Sequence, residues 1–329
     1  MSRERTASLI LLLTTCIWGS TFLAGKMGLD AMALHVGEAG RRLIPFWLNL
    51  MRFVVAAFLF ALVCPRAVRG LRGRELRESF YVAFPGALGI ALGGWGLQEA
   101  SVTVTAFLTN LTVLFTPLFG FLFFREKLNR SLLLGAAIAF VGVFLLTNPS
   151  GGEFGRPETL VLLSSVCYGL QIQLIPRYTQ GRDAEVMTFG LFLHFVWLSL
   201  LPLIPFRAGW EMLNPEFLYR AMGPVGDGRW IDRWAILWST GYLAVLASVL
   251  AMWIFMRYQR EIPATRAAIL YAFEPVFAAL LAWSVLSEPM GWRKVAGGAI
   301  ILLGNLVCEL LKPAPALPSL DVPQPRPES

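Results

Sequence analysis

The chain has 329 residues, of which 56% are hydrophobic and 15% are charged, and its mean hydropathy is +0.62. Apolar runs this long and this numerous exclude an ordinary soluble domain. The formal net charge of +7 comes from basic residues between apolar segments, without an interleaved basic and aromatic face, so no nucleic-acid partner is predicted.

Ten segments have the length needed to cross about 30 Å of hydrocarbon, and each is predicted to be a transmembrane helix. In chain order they are residues 8–28, 45–64, 79–97, 103–123, 131–148, 159–176, 186–206, 234–256, 264–286 and 292–311. The first is longer than the apolar core of a typical signal peptide, so we expect it to be retained. The predicted fold class is an all-α integral membrane protein in a lipid bilayer.

Lys and Arg residues set the predicted orientation of these helices. If the N-terminus is cytoplasmic, more of them fall in cytoplasmic than in outer connections, and residues 65–78 alone hold five Arg. Cytoplasmic connections of membrane proteins carry such an excess. We therefore expect a multi-pass protein of a bacterial-type inner (plasma) membrane with both termini cytoplasmic, and a disordered Pro-rich tail over residues 313–329.

Two of the predicted outer connections are unusual for their length or charge. They are residues 29–44, between the first two spans, and residues 207–233, which carry four Arg and several acidic residues. Trp210, Tyr219 and Trp230 in the second connection are residue types enriched at membrane interfaces. We expect this connection to lie on the membrane interface.

The chain contains an internal repeat. Residues 98–126 align with residues 260–288 without a gap, at a constant offset of 162 residues, so that Glu99 falls on Glu261. A looser upstream match equates Trp18 and Gly19 with Tyr168 and Gly169. The repeat predicts a first five-helix unit over residues 1–149 and a second over residues 150–312. Because five is an odd number of spans, the two units are predicted to have opposite orientations, as in many secondary transporters.

Glu274 is the most informative polar residue within a predicted span. It lies near the middle of the ninth span, directly before Pro275, which removes one backbone donor from the helix. An ionisable group at that depth costs about 2.5–3.5 kcal/mol on insertion scales, so it needs an explanation. Two readings stay open: a carboxyl that binds a proton or a substrate, and a structural carboxyl that holds helices together.

Arg52 and His194 are the candidate partners for such a carboxyl. Arg52, in the second span, is charged at any relevant pH and is able to pair with Glu274 or hold a substrate carboxylate; snorkelling to the interface is the alternative. His194, in the seventh span, falls on Arg52 in the loose repeat match. It is read either as a proton relay or as a buried histidine with one hydrogen bond.

Further polar and aromatic residues are predicted to line a path for a solute. Hydrogen bonds that only hold helices together, and lipid-facing positions for the aromatic rings, are the alternatives. These pathway candidates are Trp18, Thr105, Asn110, Gln171, Trp253 and Tyr271. Gly135 and Gly142, with their repeat equivalents Gly297 and Gly304, predict a close helix pairing surface, either between the repeats or between the protomers of a homodimer.

At this point the sequence resembles the EamA family of the drug/metabolite transporter superfamily. The resemblance extends over about residues 8–311. It rests on residues 18–22 (WGSTF), Pro45 with Arg52, residues 107–111 (FLTNL) followed by Pro117, and residues 274–277 (EPVF) followed by Glu288. It implies ten helices in two inverted five-helix repeats, with the substrate path between them.

The resemblance also implies what the protein does. Members of the family move small metabolites, amino acids and their analogues, or drugs across membranes, so a secondary transporter, an exporter of such small-molecule solutes by alternating access, is expected. Proton coupling through Glu274 and facilitated transport are both open. The long connections at 29–44 and 207–233 depart from the family's usual pattern, as does Tyr168, where the second repeat often has Trp.

Two alternatives belong to other functional classes. A membrane-embedded lipid-linked transferase needs clustered carboxylates for a metal, or a nucleophile and a base, and the connections offer only scattered charges. The other alternative is a structural membrane protein without transport. The four cysteines form no CxxC pair and only two histidines are present, so no metal site and no cofactor are predicted, and the chain is not expected to be an enzyme.

Overall fold

The computed structural model describes residues 3–125, 130–147, 155–179, 181–221, 234–258 and 270–310. Within these ranges the regular structure is helical. The helices are α1 Arg3–Ala33, α2 Glu38–Arg41, α3 Ile44–Val63, α4 Pro65–Gly70, α5 Gly73–Glu99, α6 Val102–Asn110, α7 Thr112–Phe124, α8 Arg130–Thr147, α9 Arg156–Thr179, α10 Ala184–Leu200, α11 Arg207–Leu213, α12 Pro215–Ala221, α13 Ala235–Tyr242, a π-helix Leu243–Leu250, α14 Ala251–Tyr258, α15 Glu274–Leu286 and α16 Trp292–Leu310.

Eight continuous helical stretches of the described residues are long and apolar enough to cross a membrane. One of them, Val102–Phe124, joins α6 and α7, and another, Ala235–Ile254, joins α13, the π-helix and part of α14. The eight stretches coincide with the first eight predicted spans, and large side chains such as Phe58 and Phe140 are exposed on their surfaces. In the region of the ninth predicted span, α15 is an apolar helix of 13 residues. In the region of the tenth, α16 has 19 residues. Two predicted features, Glu126 and the tail 313–329, lie outside the described residues.

The two copies of the sequence repeat have the same local structure. α7 spans Thr112–Phe124 and α15 spans Glu274–Leu286, so both their first and their last residues differ by the repeat offset of 162. Each helix ends on a non-glycine residue in the left-handed conformation: Arg125 has φ 57° and Ser287 has φ 55°. Left-handed residues are common terminators of helices. Within the described residues, α7 and α15 therefore fold alike down to the terminating residue.

The fourth predicted span is a broken helix in the structure. α6 ends at Asn110, and α7 starts at Thr112. The amide of Leu111 still donates to the carbonyl of Leu108, at 3.2 Å, so the chain continues through the break in a tightened turn. Val102–Phe124 as a whole is still long and apolar enough to cross a membrane, which agrees with the predicted span over residues 103–123.

Glycines bring α8 and α16 into close contact. A Cβ atom added to Gly135 would lie 2.6 Å from the carbonyl oxygen of Gly304, and one added to Gly142 would lie 2.8 Å from that of Gly297. Because the lower number on one helix meets the higher number on the other, the two helices run antiparallel. The structure thus places this glycine surface between the two copies of the repeat, one of the two predicted arrangements.

A small helical cap covers one end of the bundle. It consists of residues 34–43, including α2, together with α11 and α12, and we call this end the cap end. The indole nitrogen of the fully buried Trp47, on α3, donates to the carbonyl of Met212 on α11, at 2.9 Å. Trp210 and Tyr219 are 59% and 84% exposed, as expected for an interfacial segment, and residues 222–233 are outside the described ranges.

The glycine contact predicts a sharp difference between two Gly→Ala substitutions. In Gly142→Ala the new methyl group would lie 2.7 Å from the amide nitrogen of Ile301, so we expect a loss of about 1–3 kcal/mol in stability from overpacking. The measurement is the thermal unfolding midpoint in detergent. The matched control is Gly241→Ala in α13, where no atom lies within 4 Å. Equal midpoints for the two variants would contradict the contact.

Candidate functional site

Three helical segments meet at a polar site inside the bundle. The Nε atom of Arg52 on α3 donates to the hydroxyl of Ser248, at 2.9 Å. The indole nitrogen of Trp18 on α1 donates to the carbonyl of Ala247, at 3.3 Å. Both acceptors belong to the π-helix Leu243–Leu250. Short π-helical segments are frequent at functional sites, because their wider turn rearranges the backbone groups.

Glu274 approaches this site from the start of α15. Its backbone carbonyl packs against Gly19 of α1, where an added Cβ atom would lie 2.6 Å from the oxygen. Glu274 is the first residue of α15 and is followed by Pro275, a residue favoured in the first turn of a helix. The amides of Val276 and Phe277 both donate to the carbonyl of Phe273, at 3.0 and 3.1 Å, so the chain turns tightly into α15 at Glu274. The sequence predicts that Pro275 loosens the turn at Glu274, and α15 begins at Glu274; residues 264–269 of the predicted ninth span lie outside the described residues.

Tyr168, on α9, lies near both Arg52 and Glu274. Its ring packs on Gly89 of α5, where an added Cβ atom would be 3.0 Å from the ring. The charges of Arg52 and Glu274 both act on its hydroxyl group. We call Trp18, Arg52, Tyr168, Ser248 and Glu274 the central cluster.

The expected pairing of Arg52 with Glu274 is not present in the part of the chain that the structure describes. Arg52 instead bonds Ser248, and its guanidinium carbon also lies 4.9 Å from the centre of the Phe53 ring. Among the described residues, no ion pair or side-chain hydrogen bond engages the Glu274 carboxyl. The cluster thus contains a basic and an acidic group that are both near Tyr168 without neutralising each other directly.

Aromatic residues extend the central cluster on the side of α1. The rings of Trp18 and Tyr271 have their centres 5.8 Å apart. The hydroxyl groups of Ser20 and Tyr242 are joined by a hydrogen bond. Trp253 is different: its side chain is 46% exposed, and it makes none of the contacts described for the cluster.

Three other pathway candidates take part in helix packing. The amide nitrogen of Asn305 on α16 donates to the side-chain oxygen of Asn110, at 2.6 Å. The hydroxyl of the buried Thr105 donates to the carbonyl of Ser101, within its own chain segment, at 2.9 Å. The Gln171 side chain fills the space above Gly86 of α5. The structure does not bring these three residues into contact with the central cluster.

His194 is held away from the central cluster by two hydrogen bonds. Its Nε2 atom lies 2.7 Å from the carbonyl oxygen of Leu76, and the indole nitrogen of Trp197 donates to its Nδ1 atom, also at 2.7 Å. A carbonyl only accepts and an indole N–H only donates, so the proton of the neutral ring is on Nε2. A second proton would sit on Nδ1, which could then no longer accept the hydrogen bond from the Trp197 indole. This geometry favours the reading of His194 as a structural histidine over a proton relay.

Charged contacts join the two copies of the repeat at both ends of the bundle. At the cap end, the Glu288 carboxylate accepts from the backbone amide of Thr103, at 3.4 Å, and pairs with Lys294, at 3.2 Å. At the opposite end, Arg182 pairs with Glu78, at 2.7 Å. Thr103 and Glu288 both belong to the sequence repeat, and their repeat equivalents Thr265 and Glu126 lie outside the described residues.

Sequence reasoning missed Ser248 and underrated Tyr168. Ser248 lies in the run Leu243–Leu250, whose other members are apolar, and nothing in that run predicts a π-helix. Tyr168 was considered as one of several aromatic residues that could line a pocket, and as a departure from the pattern of the second repeat, but it was not among the pathway candidates. The available signal was its position: the repeat match equates it with Trp18, and both residues belong to the cluster.

Comparison with known proteins gives a consistent match over both halves of the chain. The model of the EamA-like transporter family matches residues 5–148 and again residues 156–308. An uncharacterized transporter of Archaeoglobus fulgidus is 25% identical over 92% of this chain and 86% of its own length.

Two further relatives are named for what they export. A probable terminal-alkyne amino-acid exporter of Streptantibioticus cattleyicolor is 27% identical, over 90% of this chain and 91% of its own length. A probable amino-acid metabolite efflux pump of Salmonella typhimurium is 25% identical, over 92% and 94%. A solved crystal structure shares the fold, with a TM-score of 0.61 at 20% identity over 93% of this chain and 97% of the other. The relatives' names favour transport over the transferase alternative.

The Arg52–Ser248 bond predicts that Ser248→Ala destabilises the protein. Ser248 is 3% exposed, and its loss would leave Arg52 without its acceptor. Hydrogen bonds to charged groups contribute about 1.5–3 kcal/mol, so we expect a loss of that order in the unfolding free energy in detergent. Ser284→Ala is the matched control, because Ser284 is exposed and bonds only within its own helix. Identical unfolding curves would mean that the bond contributes nothing.

Proposed function

Since the chain belongs to the EamA-like transporter family, we propose that it exports small amino-acid-like metabolites by alternating access. It is a multi-pass membrane protein, and the residues of the central cluster come from α1, α3, α9, the π-helix and α15. The observation that carries the proposal is the cluster itself. It combines a basic residue, an acidic residue at a helix N-terminus and aromatic rings, which are the groups that a small solute with a carboxylate and an ammonium requires.

The proposed architecture has ten transmembrane helices in two inverted repeats, residues 1–149 and 150–312. The family matches to residues 5–148 and 156–308 support the division. The antiparallel packing of α8 on α16 supports the inversion, because the two helices occupy equivalent places in the two repeats. The excess of Lys and Arg supports a cytoplasmic location of both termini in a bacterial-type inner membrane, with the cap end outside.

In the proposed mechanism, the solute binds at the contact between the two repeats. Arg52 comes from the first repeat, and Tyr168, Ser248 and Glu274 come from the second. A solute carboxylate competes with Ser248 for the Arg52 guanidinium, which offers two parallel donors to a carboxylate. The repeats then rock about the site. The Thr103–Glu288 hydrogen bond and the Arg182–Glu78 ion pair, which both cross between the repeats, lie at the two ends where contacts open and close.

Glu274 is the proposed coupling residue. Its carboxyl forms no described ion pair, so either protonation state is compatible with its neighbours. A proton that enters as the solute leaves would neutralise Glu274 and weaken its attraction for the solute ammonium. The names of the two exporting relatives support amino acids and their analogues as the class of solute and export as the direction.

The coupling role predicts the behaviour of Glu274→Gln. The variant is isosteric, so we expect it to fold and insert normally but to lose substrate-driven proton movement. Proton movement is measured in liposomes that contain a pH-sensitive dye, with L-leucine, L-threonine and L-phenylalanine supplied in turn. Glu99→Gln, at an exposed position at the end of α5, is the matched control and should behave as the wild type. Proton movement that persists unchanged in Glu274→Gln would refute coupling through this carboxyl.

The binding role of Arg52 predicts a change in solute selectivity. We expect Arg52→Gln to lower the transport of L-leucine about tenfold or more relative to L-leucinamide, because only leucine has the carboxylate; a tenfold change is about 1.4 kcal/mol. The measurement is competition against radiolabelled substrate in the same liposomes. Arg72→Gln, at an exposed position before α5, is the control. Equal loss for leucine and leucinamide would assign Arg52 a structural role.

A further inference from the structure

A cavity separate from the central cluster lies within the cap. Its volume is about 330 Å³, at the small end of the range of roughly 300–1,000 Å³ that is typical of ligand pockets. Its walls come from residues 35–40 on one side and from α11 and α12 on the other. These are parts of the two connections, 29–44 and 207–233, in which the sequence departs from the usual family pattern.

The cavity has charged groups of both signs and an apolar surface. Arg220 and Glu216, both on α12, lie at its wall, and neither belongs to an ion pair among the described residues. The Nε2 atom of His35 is buried and has no hydrogen-bond partner in the described structure. The apolar surface is formed by Val36, Met212 and Phe217.

Four of the other charged groups of the cap form surface ion pairs, and the fifth, Arg42, is exposed and does not line the cavity. Glu211 of α11, which also lines the cavity, pairs with Arg207, at 3.0 Å. Glu38 pairs with Arg41 within α2, at 3.4 Å. This leaves one cationic group, one anionic group and one imidazole with free bonding capacity in the cavity. A ligand with a single charge would satisfy only one of the two opposite charges.

We propose that this cavity is a second binding site, which takes a small zwitterionic amino acid with an apolar side chain. The carboxylate of the ligand lies against Arg220 and His35, its ammonium lies against Glu216, and its side chain lies against Met212 and Phe217. The cavity belongs to the cap and shares no residue with the central cluster. Binding there is therefore independent of the proposed transport mechanism and is testable without transport.

The floor of the cavity is rigidly attached to the bundle. Met212 accepts the indole hydrogen bond of Trp47, and the Trp47 ring packs edge-on against Phe217, with ring centres 6.3 Å apart. Trp47 is fully buried. Since the apolar wall is fixed before any ligand arrives, binding does not have to order it, and pre-organisation of this kind favours affinity.

His35 makes the proposed site sensitive to pH. Burial lowers the pKa of His35 below its ordinary value, and the positive charge of Arg220 lowers it further. The charged groups around the cavity are Glu38 and Arg41 of α2, Arg207 and Glu211 of α11, and Glu216 and Arg220 of α12. A carboxylate bound at Arg220 offsets that charge and raises the pKa of His35. Binding therefore takes up a proton and strengthens as the pH falls.

Photolabelling of the full-length protein tests the proposal at the cavity itself. The probe is photo-leucine, a leucine with a diazirine in its side chain, and the adducts are mapped by mass spectrometry of peptides. We expect adducts on residues 34–43 and 207–221 that are prevented by excess L-leucine. L-leucinamide and N-acetyl-L-leucine, which lack one of the two charges, should protect at least about tenfold less well, and protection by L-leucine should improve at lower pH.

Matched substitutions complete the test. Arg220→Ala and Glu216→Gln should each reduce the cap adducts about tenfold. Arg42→Ala should leave them unchanged, because Arg42 is exposed, does not line the cavity and belongs to no ion pair among the described residues. Absence of cap adducts in the wild-type protein, or cap adducts that persist in both Arg220→Ala and Glu216→Gln, would overturn the proposal. Loss of transport with cap labelling intact would count against the proposed function alone.

Discussion

A polar group inside a hydrocarbon layer has no water to bind, so the helices must supply its partner. This constraint accounts for most polar contacts of the bundle. Asn305 bonds Asn110, His194 uses both ring nitrogens, and Trp18 bonds a carbonyl of the π-helix. The Glu274 carboxyl is the ionisable group of the central cluster that no described side chain bonds, and it lies at the first residue of α15. Groups that the fold leaves unsatisfied at such a depth are the ones available to a solute or a proton.

The first repeat has no ionisable residue at the position equivalent to Glu274. Thr112 and Glu274 occupy equivalent positions at the starts of α7 and α15. The Thr112 hydroxyl is satisfied by the carbonyl oxygens of Thr109 and Ser165, at 2.7 and 3.2 Å. Two copies of one scaffold thus carry a neutral, fully bonded residue at one position and an ionisable residue at the other. The chemistry is asymmetric although the backbone is repeated.

Sequence patterns predicted the helices well, because hydrophobic length and a 162-residue offset are properties of the chain itself. They did not predict the partner of Arg52. Both Glu274 and a substrate were reasonable candidates, whereas the observed partner, Ser248, is 196 residues away within an apolar run. The break at Leu111 and the π-helix were missed for a similar reason: both depend on packing between helices.

The repeat alignment also misled at one position. It equated His194 with Arg52, and their neighbours do meet, since the rings of Phe53 and Phe195 lie 4.6 Å apart. Yet the His194 ring bonds Leu76, near the start of α5, away from the central cluster. Equivalence in an internal repeat fixes which helix a residue belongs to, but not which neighbours its side chain reaches.

The glycine contact between α8 and α16 pairs each copy of the repeat with the same surface of the other copy. Gly135 meets Gly304, the equivalent of Gly142, and Gly142 meets Gly297, the equivalent of Gly135. The surface of one copy is therefore complementary to the same surface of the other, as in the isologous interface of a symmetric dimer. A contact of this kind needs only one sequence to satisfy both sides. A half-length chain with this surface would therefore be able to pair with an inverted copy of itself.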